Sequence, residues 1–243
     1  MNSLLEIEGL TKRFGGVTAV SECSFSVPEG SITALVGPNG SGKTTAFNLI
    51  TGYVRADAGS IRFAGSIVRR PDPARLARRG LARTFQQARI FPQLTLVQNL
   101  AASVQQPWHG ILRRGVRRHE RAHAVALLGE FGLDRLADER AGALSYGQRK
   151  LLEFATVLMG EPRLVLLDEP TAGVNPVLVE QIETRIRELH SDGLTFLVVE
   201  HNMNLVMRLC NPVVVLDHGS KLAEGPPERV RSDPAVLDAY LGG

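Results

Sequence analysis

The segment Gly37-Pro-Asn-Gly-Ser-Gly-Lys-Thr44 constrains this chain more than any other. It fits the spacing G-x-x-x-x-G-K-[ST] and falls between a short apolar β-rich run, Ile32–Val36, and a stretch of helical character from Thr44 to Ile50. Glycines let the backbone wrap closely, so successive N–H groups and the N-terminus of the next helix face one phosphate chain. Within the loop Gly37, Pro38, Asn39, Gly40, Ser41, Gly42, Lys43, Thr44 and the following Thr45 are candidate nucleotide contacts. Lys43 reaches β- and γ-phosphates, and the Thr44 hydroxyl can ligate Mg²⁺. A strand–loop–helix unit of this kind implies an α/β nucleotide-binding core.

The rest of the chain fits that core. Arg163-Leu-Val-Leu-Leu, Leu194-Thr-Phe-Leu-Val-Val and Pro212-Val-Val-Val-Leu read as buried strands, separated by helical stretches such as Pro176 to His190. Near the N-terminus, Ser3-Leu-Leu-Glu-Ile-Glu-Gly alternates as a half-exposed strand, Phe25-Ser-Val-Pro-Glu-Gly reads as a second edge strand, and Ser60-Ile-Arg-Phe-Ala-Gly as a third. From about 92 to 158 long β-branched runs are missing and helix-like segments such as Arg121 to Phe131 take over. The expectation is a single domain, 1–243, with a helical subdomain inserted at 92–158.

Composition narrows the function classes. Hydrophobic residues make up 44% and charged residues 22%, with a mean hydropathy of −0.01, which is ordinary for a globular protein. The net charge of +3 is too small to favour a nucleic-acid partner. Cys23 and Cys210 are far apart and form no metal or redox motif, as expected in a reducing compartment. No apolar run approaches the ~20 residues of a membrane-spanning helix, and Met1 to Glu8 reads as a strand and not as a signal peptide. A cytosolic chain is expected.

Two more motifs carry chemistry. Leu164-Val-Leu-Leu-Asp-Glu-Pro delivers Asp168 to the carboxyl end of a buried strand, where a metal-bound phosphate sits in an α/β fold. Asp168 is a candidate Mg²⁺ ligand, and Glu169 a candidate for orienting and polarising the attacking water. Leu144-Ser-Tyr-Gly-Gln-Arg-Lys precedes a helix expected over 148–159; Ser145 and Gly147 suit either an anion-binding helix start or a simple N-cap. Two arginine clusters, Arg69, Arg70, Arg75, Arg78, Arg79 and Arg83, then Arg113, Arg114, Arg117, Arg118 and Arg121, read as solvated faces, the alternative being an anionic or lipid-facing surface.

Taken together, these motifs resemble the ABC-transporter ATPases, and the likeness covers essentially the whole chain. Gly37 to Thr44 is similar to Walker A, Asp168-Glu169 to Walker B with its catalytic Glu, and Leu144-Ser-Tyr-Gly-Gln148 to the LSGGQ signature. Thr84-Phe-Gln86 is similar to the Q-loop and Val199-Glu-His201 to the switch histidine, while Phe14 lies where the family has an adenine-stacking aromatic. The resemblance implies a RecA-like P-loop core with an N-terminal antiparallel β region. It also implies ATP and Mg²⁺ as ligands, with Gln86 joining Thr44 and Asp168 at the metal and its loop touching the permease. Glu169, His201 and Gln86 become the catalytic candidates, and Ser145, Gly147 and Gln148 nucleotide contacts made across a head-to-tail pair of chains. Arg83-Thr-Phe-Gln86, Tyr146, Ala172-Gly-Val-Asn-Pro176, Glu200-His-Asn-Met203 and Asp238-Ala-Tyr-Leu-Gly242 look like the branched-chain amino-acid uptake group, in particular its larger ATPase subunit. Two departures stand out: Tyr146 replaces a glycine of the signature, and Asn175 stands where the loop after Walker B commonly has Asp.

The implied role is the power-supplying subunit of an importer, peripheral on the cytoplasmic face of the membrane. Its implied partners are a second ATPase subunit, identical or paralogous, separate permease subunits and an external solute-binding protein, with no nucleic acid. A soluble ABC ATPase acting on nucleic acid or ribosomes is the alternative, weakened by a single ATPase unit and no heptad run. A nucleotide-binding regulator without turnover is the third reading; Lys43, Glu169 and His201 argue against it.

Overall fold

The computed structural model describes residues 2–85, 90–103 and 116–241. Near the N-terminus β1 (Ser3–Phe14), β2 (Val17–Pro28), β4 (Ala58–Phe63) and β5 (Ser66–Ile67) form an antiparallel sheet in the order β2-β1-β4-β5. The central sheet has the order β10-β9-β3-β8-β7-β6. In it β3 (Ile32–Val36), β6 (Leu81–Arg83), β7 (Leu164–Asp168), β8 (Thr195–Val199) and β9 (Val213–Asp217) run parallel, and β10 (Ser220–Gly225) pairs antiparallel with β9.

Every residue of β3, β7 and β8 is buried. Both faces of the sheet are covered, which is why these strands read as continuous apolar runs. The two-residue period of a strand still sorts them. Ala34, Val165, Leu167, Phe196, Val198, Val213 and Val215 enter one apolar cluster, while Leu35, Leu164, Leu166, Leu197, Val199 and Val214 enter another. Phe47 and Ile50 of α1 (Lys43–Ile50), with Leu5 and Ile7 of β1, complete the second.

The first cluster receives the helices of the long middle stretch. Between 92 and 158 the described residues form α3 (Leu96–Ser103), α4 (Arg118–Glu130) and α5 (Tyr146–Leu158), with 3₁₀ turns at 134–136 and 141–143. Leu100, Leu128 and Leu152 pack with α6 (Pro176–Ser191) and α7 (Met203–Leu209) over the sheet. α2 (Pro73–Arg78) adds Leu76 to the second cluster, and α8 (Pro227–Arg231) and α9 (Pro234–Leu241) add Val230 and Val236 to the first. No helix among the described residues is long and apolar enough to cross a membrane.

Several elements differ from the sequence expectation, among them β1, which runs on to Phe14, and β5 and β10, for which no strand was expected. β2 starts at Val17 and not near Phe25, because Phe14 pairs with Val17 across Gly15-Gly16 and makes a long hairpin with β1. Register shifts along β1–β2 and a left-handed Glu22 break the alternation that would have shown it. β6 was not foreseen at all: three residues become a strand only by pairing with β7. Both cysteines are free and buried, and burial pushes the Cys23 thiol up to about 11 and that of Cys210 to about 12. Neither is poised as a reactive thiolate.

Candidate functional site

The carboxyl ends of β3, β7 and β8 converge, and each delivers one part of the site. After β3 the chain turns through Gly37–Gly42 into α1. Gly37 has φ 150° and a Cβ there would run into the Leu216 carbonyl oxygen; Gly42 has φ 98° and a Cβ would stand 2.5 Å from the Ala19 carbonyl oxygen. Side chains are excluded at both positions. Gly42 caps α1 without a side chain and the first turn holds no acid, so the N–H groups and positive end of the helix are left for an anion.

Lys43, 6% exposed, lies over this loop and donates to the carbonyl oxygens of Gly37 (2.7 Å) and Pro38 (2.9 Å). Burial lowers its pKa and the charge of Glu169 opposes that shift, so the two residues feel each other across the site. Ser41 is buried, Pro38 and Thr45 are half-buried, and Asn39, Gly40 and Thr44 are exposed. Tyr240, on the C-terminal helix α9, sits near the Gly37 backbone, which opposes the rise in its pKa caused by burial.

Asp168 ends β7 in buried, extended chain, and Glu169 follows with φ 49°. A left-handed glutamate costs of order 1–3 kcal/mol and persists only where its surroundings enforce it. Here the Glu169 N–H donates to Val199 O at 2.9 Å, and the turn sends the two adjacent carboxylates different ways. Glu169 Oε1 lies 2.9 Å from His201 Nε2, so the loops after β7 and β8 meet side chain to side chain. Beside them is a cavity of ≈ 500 Å³ lined by Glu169, Thr171, Glu200, His201, Asn202 and Arg208 among others.

Asp168 has an unexpected partner. Its Oδ2 accepts from Arg83 at 2.7 Å, and the two side chains are 8% and 6% exposed. Arg83 also donates to Asn48 Oδ1 (2.8 Å) and Thr51 Oγ1 (3.1 Å), and its guanidinium lies over the rings of Phe47 and Phe85. The reading of Arg83 as a solvated surface arginine is therefore wrong. Its carboxylate partner and the oxygens at the end of α1 draw it inward, whereas Arg69, Arg70, Arg75 and Arg78 are exposed. Arg113 and Arg114 lie outside the described residues. The exposed Thr44 hydroxyl and the Asp168 carboxylate are hard oxygen donors of the type Mg²⁺ takes alongside water and substrate phosphates.

Ser145 caps α5: its side chain accepts from Gln148 N–H (3.3 Å), while Gln148 Oε1 accepts from Ser145 N–H (2.9 Å). The reciprocal pair is a capping box. Tyr146 donates to Ala172 O (3.2 Å) and so ties the start of this helix to the loop after β7. Gly147 faces Leu178, and Asn175 accepts from Leu178 N–H as the cap of α6, a local role for the residue found where Asp is usual. Phe14 is 49% exposed at the tip of the β1–β2 hairpin, with Lys12 over its ring. The same hairpin brings Ala19 against Gly42, so it flanks the phosphate loop. Gln86 lies outside the described residues.

Residues 20–172 match the profile of the ABC transporter family, well over half the chain. The chain belongs to the ABC transporter ATPases. The end of this ABC ATPase, residues 220–243, matches a second profile, that of branched-chain amino acid ATP-binding cassette transporters. It is 39% identical to the high-affinity branched-chain amino acid transport ATP-binding protein BraF of Pseudomonas aeruginosa, over 98% of each chain. It is 37% identical to a probable branched-chain amino acid transport ATP-binding protein, LivG, of Archaeoglobus fulgidus, over 98% of this chain and 95% of that one. Among solved structures, the ADP conformation of an ATP-binding cassette of an ABC transporter superposes with a TM-score of 0.89 at 34% identity, covering 100% of both chains. The α/β core, N-terminal antiparallel sheet and inserted helices expected of this ABC ATPase are those found.

Proposed function

We propose that this chain binds ATP with Mg²⁺ and hydrolyses it to drive uptake of branched-chain or related amino acids. The observation that carries the proposal is the Glu169–His201 contact beside Lys43 at the carboxyl end of the sheet. In this reading Lys43, Gly37–Gly42, Thr44 and Thr45 bind the phosphates, and Phe14 stacks on adenine. Glu169 polarises the attacking water, and His201, which can hold the far side of that carboxylate, orients it. Mg²⁺, held by Thr44 and Asp168 with Gln86 near it, would neutralise phosphate charge. Ser145, Gly147 and Gln148 present the start of α5 to the nucleotide of a second ATPase subunit, identical or paralogous, and closing that interface excludes water.

Transport requires permease subunits, and a groove of ≈ 440 Å³ supports their docking. Tyr53, Leu76, Arg83, Phe85 and Val157 are among its lining residues, placing it between β6 and α5, next to the helical subdomain assigned to 92–158. Phe85 adjoins Gln86 in sequence, so the groove and the catalytic machinery share one stretch of chain. The location follows: peripheral, at the cytoplasmic face of the membrane, with a solute-binding protein outside and no nucleic-acid partner. The names of BraF and LivG support the cargo. Radiolabelled leucine uptake tests the whole reading in cells lacking this chain and complemented with wild type or Glu169→Gln. Uptake is expected with wild type alone. Uptake unaffected by the deletion would refute the cargo, and rescue by Glu169→Gln would refute the catalytic assignment.

A further inference from the structure

Glu200 stands between the last strand residue of β8 and His201, and only 4% of it is exposed. A carboxylate in that place must find acceptor partnerships for both oxygens. It does so on two different loops. Oε1 accepts from the Thr171 N–H (3.0 Å) and the Thr171 hydroxyl (2.5 Å), two residues beyond Glu169. Oε2 accepts from the backbone N–H groups of His201 (3.1 Å) and Asn202 (3.3 Å). A carboxylate is the one side chain that accepts on two oxygens while donating nothing. Glutamine would turn an NH₂ group toward one of these donor pairs.

We propose that Glu200 is a positioning residue for ATP hydrolysis, a carboxylate clamp that fixes the His201 loop against the loop following Glu169. The clamp acts where the 2.9 Å Glu169–His201 contact is made, and its Thr171 arm continues to Ala172, whose carbonyl oxygen holds Tyr146 of the signature helix. One buried carboxylate thus ties the catalytic pair to the start of α5. The helix after His201 does not need it for capping, since Asn202 caps α7 by accepting from Leu205 N–H. The proposal rests on the catalytic reading of Glu169 and His201 given above.

The test uses the full-length chain with Glu200→Gln, Thr171→Val, Thr171→Ser and His201→Ala, scoring kcat, KM, ATP affinity and the thermal midpoint. Glu200→Gln should lower kcat by roughly 10- to 100-fold, the scale of a catalytic group displaced by about 1 Å, with KM and ATP affinity little changed. Thr171→Val should lower kcat in the same manner, and Thr171→Ser, which keeps the hydroxyl, should restore it. In a His201→Ala background Glu200→Gln should cost almost nothing further, because residues acting as one unit are not additive. Wild-type kcat in Glu200→Gln, or a full multiplicative loss on top of His201→Ala, would overturn the clamp. If Glu200→Gln does not fold, the two threonine variants decide, and wild-type kcat in Thr171→Val overturns the proposal. Should His201→Ala and Glu169→Gln alone leave kcat intact, the catalytic reading fails instead.

Discussion

Replacing Arg83 by Met should damage this protein far more than loss of a surface arginine. The Arg83 side chain is 6% exposed and the Asp168 side chain that it holds at 2.7 Å is 8% exposed, so each has given up most of its hydration for the other. Removing one partner of such a pair strands the other charge, which costs about 3–5 kcal/mol. Asn48 and Thr51 lose their donor in the same substitution. Against a total stability of about 5–15 kcal/mol for a natural domain, that is a large fraction. Urea unfolding of wild type and Arg83→Met, compared through the midpoint at constant m, reads the difference. Adding Asp168→Asn removes the stranded charge, so the double variant should lose only about 1–3 kcal/mol, the scale of unsatisfied neutral groups. A cost below about 1 kcal/mol for Arg83→Met, as for an exposed pair, would refute the burial argument.

Phe14→Ala should weaken ATP binding by about 1–3 kcal/mol while leaving stability nearly unchanged, since the half-exposed ring carries little of the core; equal affinity by calorimetry would place the adenine elsewhere. Ser145→Ala removes half of a capping box and should cost about 1 kcal/mol of stability. It should spare ATP binding by the isolated chain and impair hydrolysis, and loss of binding would contradict a role across the subunit interface. Lys43 has a pKa lowered by burial, with Glu169 opposing, and bound phosphates would raise it again. In the window between that lowered value and 10.5, ATP binding should therefore take up a proton and weaken as pH rises. Calorimetry in two buffers of different ionisation enthalpy measures this uptake, and none in that window would refute it.

Features set by local pattern were legible in the sequence. The glycine spacing of 37–42 announces a loop that excludes side chains, and the apolar runs of β3, β7 and β8 announce a sheet covered on both faces. Asp168, Glu169 and His201 could be placed at strand ends because each follows such a run. Features set by tertiary pairing were hidden. β6 has three residues and exists through β7, so nothing local marked Arg83 as buried. Glu200 stood in the sequence only as part of the family-like run Glu200-His-Asn-Met203, and its distant partner, Thr171, lies 29 residues away. One signal was available in retrospect: an arginine or glutamate set directly against a catalytic motif is better placed to partner it than to face solvent. Tyr146 and Asn175 read as departures from a family pattern, and the structure gives each a hydrogen bond, Tyr146 to the distant Ala172 carbonyl and Asn175 to the nearby Leu178 N–H. Tyr240 of the C-terminal motif comes near the Gly37 backbone, a proximity that spacing along the chain could not show.

The central claim is that this chain turns over ATP through Glu169. Measuring phosphate release and ATP affinity in the same preparations of wild type and Glu169→Gln tests it most directly. The phosphate cradle is untouched by this substitution, so ATP affinity should hold while turnover falls by about 10²–10⁴-fold, the contribution of one general acid–base group. Near-wild-type turnover in Glu169→Gln, or ATP affinity lost along with turnover, would contradict the account.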